Sequence, residues 1–204
     1  MCGIFGIITD QEQTLGPTLI ASGQRLAYRG YDSVGCATVG ADGTIDLRKG
    51  VGRIKDVSAE LDFGALCGTR GITQLRWATF GAPSYENAQP HLDFDGDMVG
   101  AHNGNVVNNV ELREAFIAEG MTVRSTNDGE SCVHAVERYV DRGETIIDAE
   151  GLLTREHLIP RETFRVGDRL RALLLASAGD TEELFDPDQA ALEVTCEYCK
   201  GRYS

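Results

Sequence analysis

The chain opens with Met1-Cys-Gly-Ile-Phe-Gly-Ile-Ile-Thr9, an apolar run rich in β-branched residues that stops at Asp10 and Gln11. A short apolar run bounded by polar residues is typical of a buried β-strand. A strand that begins at residue 3 places Cys2 at the mouth of a sheet. The sequence therefore presents a thiol beside the chain terminus, at one end of a buried strand.

Cys2 becomes a nucleophile with its own base if Met1 is removed, because one residue then carries a thiol and a free α-amino group. The pKa of an α-amino group, about 7.7 to 8.0, lies near the value of about 8.5 for a free thiol. An unprotonated amine can then take the thiol proton, directly or through water, and return it to a leaving amine. The alternative is a chance cysteine between a start codon and a buried strand, and position alone favours that alternative.

The pattern after the first strand alternates between helices and strands. It predicts a helix over residues 14–28, a hairpin of 36–39 and 44–47, a short helix over 51–62, strands at 71–77 and 98–102, and helices over 110–119 and 131–140. Gly30 is expected to end the first helix in a left-handed cap, and Asn108 or Asn109 to cap the helix that follows them.

The composition is that of an acidic globular protein: 204 residues carry 19 Lys+Arg and 32 Asp+Glu, a net charge of −13. Binding to nucleic acid or to an anionic membrane surface needs clustered cations, so both are disfavoured. No stretch approaches the roughly 18 apolar residues of a membrane helix, and a cytoplasmic protein is predicted. In a reducing compartment cysteines are free thiols, catalysts or metal ligands, and we expect buried thiols at Cys36, Cys67 and Cys132.

A candidate oxyanion hole follows the strand predicted at residues 98–102. An attack by a thiol on a carbonyl carbon needs hydrogen-bond donors aimed at the oxygen that becomes negative. Asn103 supplies a side-chain amide, and Gly104 supplies a backbone N–H that a substrate can approach closely. A lone Asn-Gly pair is more often a turn. This motif therefore indicates an oxyanion hole only if other motifs in the chain point to the same chemistry.

Six segments together resemble the class II glutamine amidotransferases, which belong to the N-terminal-nucleophile hydrolases. The closest likeness is to the glutaminase domains of glucosamine-6-phosphate synthase and amidophosphoribosyltransferase, and it covers residues 1–140. The segments occur in the order of that family: Met1-Cys-Gly-Ile-Phe-Gly-Ile7, Leu26-Ala-Tyr-Arg-Gly-Tyr-Asp-Ser-Val-Gly35, Arg76-Trp-Ala-Thr-Phe-Gly-Ala-Pro83, Asn87-Ala-Gln-Pro-His91, His102-Asn-Gly104 and Asn127-Asp-Gly-Glu130.

The resemblance implies a reaction at Cys2. The thiol would attack the side-chain amide of L-glutamine, with Asn103 and the Gly104 N–H holding the tetrahedral oxyanion. Ammonia would leave, and water would cleave the thioester to give glutamate. This chemistry needs no metal or cofactor. The ammonia acceptor would be a synthase domain or another chain.

The resemblance also implies how the two ends of glutamine are recognised. Arg76 would bind the α-carboxylate, because a guanidinium fork matches two carboxylate oxygens. Asp128 would accept the α-ammonium, and Trp77 and Thr79 would form the wall and floor of the pocket. The alternative for Arg76 and Asp128 is a solvated surface charge. Arg29, which the family places near the nucleophile, can equally pair with Asp32 and is not assigned.

Two positions depart from the family pattern, and its later strands are not found. Phe80 stands where the synthase-like motif has His, and Asn127-Asp-Gly-Glu130 stands where Thr-Asp-Thr-Glu is usual. We expect an α+β fold, an αββα sandwich of the N-terminal-nucleophile hydrolase type that is incomplete and carries a short C-terminal appendage. The predicted division is a glutamine amidotransferase type 2 domain at residues 1–145 and an appendage of residues 146–204.

The C-terminal part has other resemblances. Residues 150–175 resemble a piece of a Nus-type transcription elongation factor, and residues 193–203 resemble one arm of the zinc centre of a redox-regulated chaperone. Cys196 and Cys199 would form half of a tetrahedral zinc site, with His157 as a weak third ligand. Three resemblances in one chain leave a second hypothesis open: a truncated or composite protein without catalysis, whose tail binds a partner or pairs through zinc.

Overall fold

The computed structural model describes residues 2–79 and 81–143, together with the backbone of three short strands after residue 175. Two 3₁₀ turns, at Ala27–Arg29 and Phe63–Ala65, accompany the regular elements. Those elements are β1 (Gly3–Thr14), α1 (Gly16–Leu26), β2 (Ser33–Val39), β3 (Ile45–Val51), α2 (Ile54–Glu60), β4 (Cys67–Arg76), β5 (His91–Leu92), β6 (Met98–Gly100), α3 (Asn109–Ala118), α4 (Asp128–Val140), β7 (Ala176–Ser177), β8 (Thr195–Cys196) and β9 (Gly201–Arg202).

The larger sheet is antiparallel and has the strand order β1-β4-β2-β3. Strand β4 lies between β1 and β2, with Leu75 opposite Gly3 and Arg76 opposite Ser33. This register brings the start of β1 and the end of β4 to the same edge of the sheet. A smaller antiparallel sheet has the order β5-β6-β7.

Three apolar clusters separate four layers of structure. The first packs α1 and α2 against one face of the larger sheet, around Leu19, Ile54 and Leu75. The second fills the space between the two sheets, and the third packs the smaller sheet against α3 and α4, around Phe116. Each sheet therefore buries one face against helices and the other against its partner sheet. The described residues thus have the expected α+β, αββα layering.

The predicted helices and strands of the first 140 residues are all present, with shifted ends. Strand β1 continues to Thr14, because its register with β4 resumes at Gln13 after an irregularity that follows Ile8. Helix α4 begins at Asp128, earlier than predicted, because Asn127 caps it by accepting a hydrogen bond from the Gly129 N–H. Asn108 occupies the N-cap position of α3, but its side chain makes no capping hydrogen bond.

Two local expectations were wrong. Gly30 does not form a left-handed cap, since its φ is −172° and its backbone is extended. Glycine is needed there for space, because a Cβ would lie 2.6 Å from the carbonyl carbon of Arg76. Cys36 and Cys132 are buried as expected, but Cys67 is exposed. Cys67 is the first residue of β4 and pairs with Thr14 at the exposed end of β1.

Most of the predicted appendage, with His157 and Cys199 of the half zinc site, lies outside the described residues. Its Ala176–Ser177 form β7, however, which adds a strand to the smaller sheet where the sequence showed no later strand. Of Cys196, only the backbone is described, in β8. None of the helices in the described part of the chain combines the length and apolar character needed to span a membrane.

Gly35→Ala is expected to lower the free energy of unfolding by about 1–3 kcal/mol, the usual cost of overpacking. The added Cβ would lie 2.3 Å from the Gln89 carbonyl oxygen, so one of two packed backbones must move. Urea unfolding measures the loss. Gly64→Ala is the matched control, because its Cβ would meet nothing nearer than Asp62 Oδ1 at 3.8 Å. Equal stability of the two variants would contradict the close approach.

Candidate active site

Cys2 directly precedes β1, at the edge of the larger sheet where β4 ends. Its thiol donates to the main-chain carbonyl of Trp77, with Sγ and O 3.7 Å apart. Burial raises the pKa of the thiol, and the backbone hydrogen bond and the positive charge of Arg76 partly oppose that shift. The thiol is therefore held in its neutral form, so a base must take its proton before it can attack a carbonyl carbon.

Asn103, one of the two predicted oxyanion residues, lies directly against Cys2. Asn103 Nδ2 donates to the Cys2 carbonyl oxygen over 2.8 Å, a contact between residues 101 positions apart in the sequence. A Cβ on Gly104 would lie 2.8 Å from Cε1 and Nε2 of the His102 ring, so only glycine fits beneath that ring. Asn103 and Gly104 are both exposed and face the solvent side of the site.

Arg76 ends β4 and is buried, with a relative exposure of 1%. Its Nη2 donates to the Gly81 carbonyl over 2.9 Å, which ties the guanidinium to the loop after the strand. Burial lowers the pKa of Arg76, while Cys2 in its ionised form and the carboxylates of Asp128 and Asp32 act in the opposite direction. A guanidinium remains charged in proteins. Arg76 is therefore a buried cation beside Cys2, not a solvated surface charge.

Asp128 is the first residue of α4 and is also buried. Its Oδ2 accepts a hydrogen bond from the Val106 N–H over 3.0 Å, which joins the helix to the segment that carries Asn103. A carboxylate at a helix N-terminus is stabilised by the helix dipole. The site therefore holds an anion at this helix end and a cation at the end of β4.

Trp77 and Thr79 lie in the loop after Arg76, and both are exposed. The Trp77 ring is 42% exposed and contacts the Tyr31 ring, with centroids 5.4 Å apart. It is therefore a surface aromatic residue beside Cys2. Asp32 fixes this loop from the other side, because its Oδ2 accepts the Ala78 N–H over 2.8 Å. Arg29 donates to the hydroxyl of Tyr28 over 3.1 Å.

The motif Asn87-Ala-Gln-Pro-His91 contributes functional residues that the sequence did not assign to any role. Asn87 Oδ1 accepts the Thr126 N–H over 2.8 Å, and His91 Nε2 donates to Asn127 Oδ1 over 3.0 Å. Burial lowers the pKa of His91 to about 3, so its imidazole is neutral. These bonds fix the loop that ends at Asp128. The presence of the motif indicated that these residues matter, but the sequence could not show which residues they contact.

A buried charged cluster on α4 supports the same loop. Glu130 accepts the N–H groups of Arg124 and Ser125 at 2.7 and 2.6 Å, and its pKa is lowered to about 2 because these bonds and His134 outweigh burial. His134 lies between Glu130 and Glu137, with nitrogen–oxygen distances of 3.6 and 2.8 Å. Burial alone would lower the pKa of His134, but the two carboxylates raise it to about 9.

The arrangement joins four elements of acyl-transfer chemistry at one edge of the sheet. A thiol can act as nucleophile, and an amide side chain with a nearby backbone N–H can hold an oxyanion. A buried cation, Arg76, and a buried anion, Asp128, both act electrostatically on Cys2, and a free amino acid carries the complementary charges. Cys2, Asn103, Arg76 and Asp128 thus lie near one another, and the roles assigned to them from the sequence stay predictions.

Residues 76–151 match the family model described as "Glutamine amidotransferase domain". Relatives of this kind are also 38% and 35% identical over 94% of the chain, so the part that carries these motifs is a class II glutamine amidotransferase segment. The resemblance found in the sequence is therefore confirmed for this part, while the resemblances of the C-terminal part stay predictions.

The amidotransferase segment has curated relatives and structural neighbours of this kind. Glutamine–fructose-6-phosphate aminotransferase of Methanothermobacter thermautotrophicus is 38% identical over 94% of this chain, and that of Gluconobacter oxydans is 35% identical over 94%. The structure of glutamine phosphoribosylpyrophosphate amidotransferase from B. subtilis superposes on 73% of this chain with a TM-score of 0.57 and 26% identity. The structure described as the allosteric regulatory enzyme of purine biosynthesis superposes on 73% of this chain with a TM-score of 0.59 and 28% identity.

The chain spans about a third of the length of these proteins. It covers 34% and 32% of the two aminotransferases and 31% of each of the two solved chains. Alignments over 94% of the chain also extend past residue 145, so they include residues that the sequence assigned to an appendage.

His134→Gln is expected to destabilise the protein more at pH 6 than at pH 9.5. The folded-state pKa of about 9 exceeds the ordinary value of 6.5, so the imidazolium stabilises the fold fully below pH 6.5 and loses that effect as pH rises to 9. The change over this window is at most about 3 kcal/mol. Urea unfolding at both pH values measures it.

The control for this experiment is Val136→Ala on the same helix, which removes buried apolar volume without changing a charge. Its cost should be nearly the same at the two pH values. A His134→Gln cost that is equally independent of pH would show that His134 is neutral in the folded protein.

Proposed function

We propose that this segment hydrolyses L-glutamine to glutamate and ammonia through a thioester on Cys2. The observation that carries the proposal is the hydrogen bond from Asn103 to the Cys2 carbonyl, since it puts an amide donor beside the only half-buried thiol among the described cysteines. The family match supports glutamine as the source of the reactive amide.

The proposed reaction begins when Met1 is removed, which gives Cys2 a free α-amino group. That amine takes the thiol proton, and the sulfur forms a bond to the side-chain carbonyl carbon of glutamine. Asn103 Nδ2 and the Gly104 N–H donate to the oxygen that becomes negative. The amine then returns the proton to the departing nitrogen, which leaves as ammonia. Water adds to the thioester, and the carbon–sulfur bond breaks to give glutamate and the free thiol.

The binding of glutamine uses the two buried charges. Arg76 is proposed to bind the α-carboxylate and Asp128 the α-ammonium, with Trp77 and Thr79 at the pocket wall and floor. The same Arg76 fork that donates to the Gly81 carbonyl has further N–H groups, so it can hold the loop and a carboxylate together.

The wider assignments rest on the relatives. We propose that residues 1–145 form the glutaminase domain and that ammonia passes to a synthase domain or to another chain, because the matched aminotransferases are about three times as long. The net charge of −13 disfavours nucleic acid as a partner, and a cytoplasmic location fits a reactive free thiol.

Intact mass after incubation with a diazo-ketone analogue of glutamine tests the nucleophile. We expect one adduct on a chain that lacks Met1, and neither adduct nor ammonia release from Cys2→Ala, because the attacking sulfur is gone. Cys67→Ala is the matched control, since it removes an exposed thiol at the other end of the sheet. Ammonia release that survives Cys2→Ala would end the proposal. Correctly processed protein without an adduct would favour the non-catalytic hypothesis.

Steady-state kinetics separate the binding residues from the oxyanion residues. Arg76→Lys is expected to raise KM for glutamine by about 10- to 100-fold, because a charge-assisted hydrogen bond present in both ground and transition states is lost. Asn103→Ala is expected to lower kcat by about 100- to 1000-fold with a smaller effect on KM. An unchanged KM in Arg76→Lys would assign Arg76 to the support of the loop alone.

A further inference from the structure

Gln89 makes an unusual pair of bonds to the segment of the oxyanion residues. Its Oε1 accepts the His102 N–H over 2.7 Å, and its Nε2 donates to the His102 carbonyl over 3.1 Å. One side-chain amide thus satisfies both main-chain groups of the residue that directly precedes Asn103. The side chain is 2% exposed, so water does not compete for these bonds.

The backbone of Gln89 is itself held on both sides. Lys49 Nζ donates to the Ala88 carbonyl over 2.7 Å and to the Pro90 carbonyl over 3.3 Å. Gly35 lies against the Gln89 carbonyl so closely that a Cβ would come within 2.3 Å of it. The backbone at Gln89 is therefore fixed against β2 and β3 of the larger sheet. The Gln89 side chain in turn fixes the position of His102.

The same amide oxygen also lies against the first turn of the helix that carries Asp128. A Cβ on Gly129 would lie 2.8 Å from Gln89 Oε1 and 2.9 Å from its Cδ. Gly129 has no side chain, and this leaves the space that the amide occupies. Gln89 thus lies between the two segments that hold the oxyanion and the substrate ammonium.

We propose that Gln89 is a positioning residue for the oxyanion hole. By fixing the main chain of His102 in both directions, it sets where the Asn103 side chain and the Gly104 N–H point. In this role Gln89 contacts neither the glutamine substrate nor the reacting atoms. The proposal rests on the proposed glutaminase function. Donors of an oxyanion hole act only when aimed at the developing charge, so a small rotation of this segment slows the reaction.

Two substitutions of Gln89 separate hydrogen bonding from packing. Gln89→Glu keeps the size of the side chain but puts an oxygen in place of Nε2, opposite the His102 carbonyl. Gln89→Ala removes both bonds. We expect both variants to lower kcat for glutamine by about 10- to 100-fold and to change KM by less than about 3-fold. An unchanged kcat, or a loss confined to KM, would overturn the proposal.

Hydrogen exchange gives a readout that does not depend on activity. The His102 amide proton is protected by Gln89 Oε1. In Gln89→Ala it is expected to exchange at least about 10-fold faster, and more than amides in the core of α4. Unchanged exchange at His102 would overturn the proposal. If the parent protein releases no ammonia, the proposed function fails, while this exchange still decides whether Gln89 holds the segment.

Gly129→Ala supplies a second variant if the Gln89 variants do not fold. The added Cβ would lie 2.8 Å from Asn127 Oδ1, the oxygen that caps α4, as well as 2.8 Å from Gln89 Oε1, so the substitution strains the cap as well as the amide. Its methyl group must displace the Gln89 amide, and the same loss in kcat and faster His102 exchange are expected. Normal kcat with normal exchange in this variant would overturn the proposal.

Two controls separate positioning from general loss of stability. Val136→Ala destabilises the core beneath the smaller sheet without contacting this segment, and Gln24→Ala removes an exposed glutamine on α1. Both are expected to keep kcat within about 2-fold of the parent. If Val136→Ala lowers kcat as much as Gln89→Ala at the same loss of stability, the effect is structural and the proposal fails.

Discussion

The pairing of β1 with β4 is the constraint on which the site depends. With Gly3 opposite Leu75, continuing the antiparallel register by one residue sets Cys2 beside Arg76. Residues 74 positions apart thereby become neighbours at the sheet edge. A slip of one residue would turn every side chain of β1 to the other face and separate the thiol from the cation. The register is fixed because β1 must bury apolar residues on both faces, against α1 and against the smaller sheet.

The loops at this edge are ordered by buried polar side chains. Asn87, Gln89 and His91 each bond to a different part of the segments 102 and 126–127, and Glu130 holds the chain at Arg124 and Ser125. Loops carry function only when a rigid scaffold places them. Here the scaffold is extended by side-chain amides and carboxylates, because buried backbone groups without a strand partner must be satisfied in another way.

The electrostatics of the site follow from burial. Arg76 and Asp128 are both nearly inaccessible, and each is held by backbone groups as well as by the field of the other. Charges desolvated in this way are costly unless they are paired or hydrogen-bonded. The neutral thiol fits the same scheme, since its burial means that a proton has to be taken from it when the substrate is bound.

The sequence by itself determined the local elements and the identity of the chemical groups. The apolar run after Cys2 and the hairpin around Asp42-Gly43 predicted strands. The six ordered motifs, through the family they resemble, predicted the layering and four residues that the fold brings together. Local periodicity could not show that Gly30 is extended, that Cys67 is exposed, or that α4 starts at Asp128, because each depends on a neighbour from another element. Only the tertiary structure decided the partners of Asn87, Gln89 and His91, since those hydrogen bonds join segments that are distant in sequence and carry no periodic signal of their own.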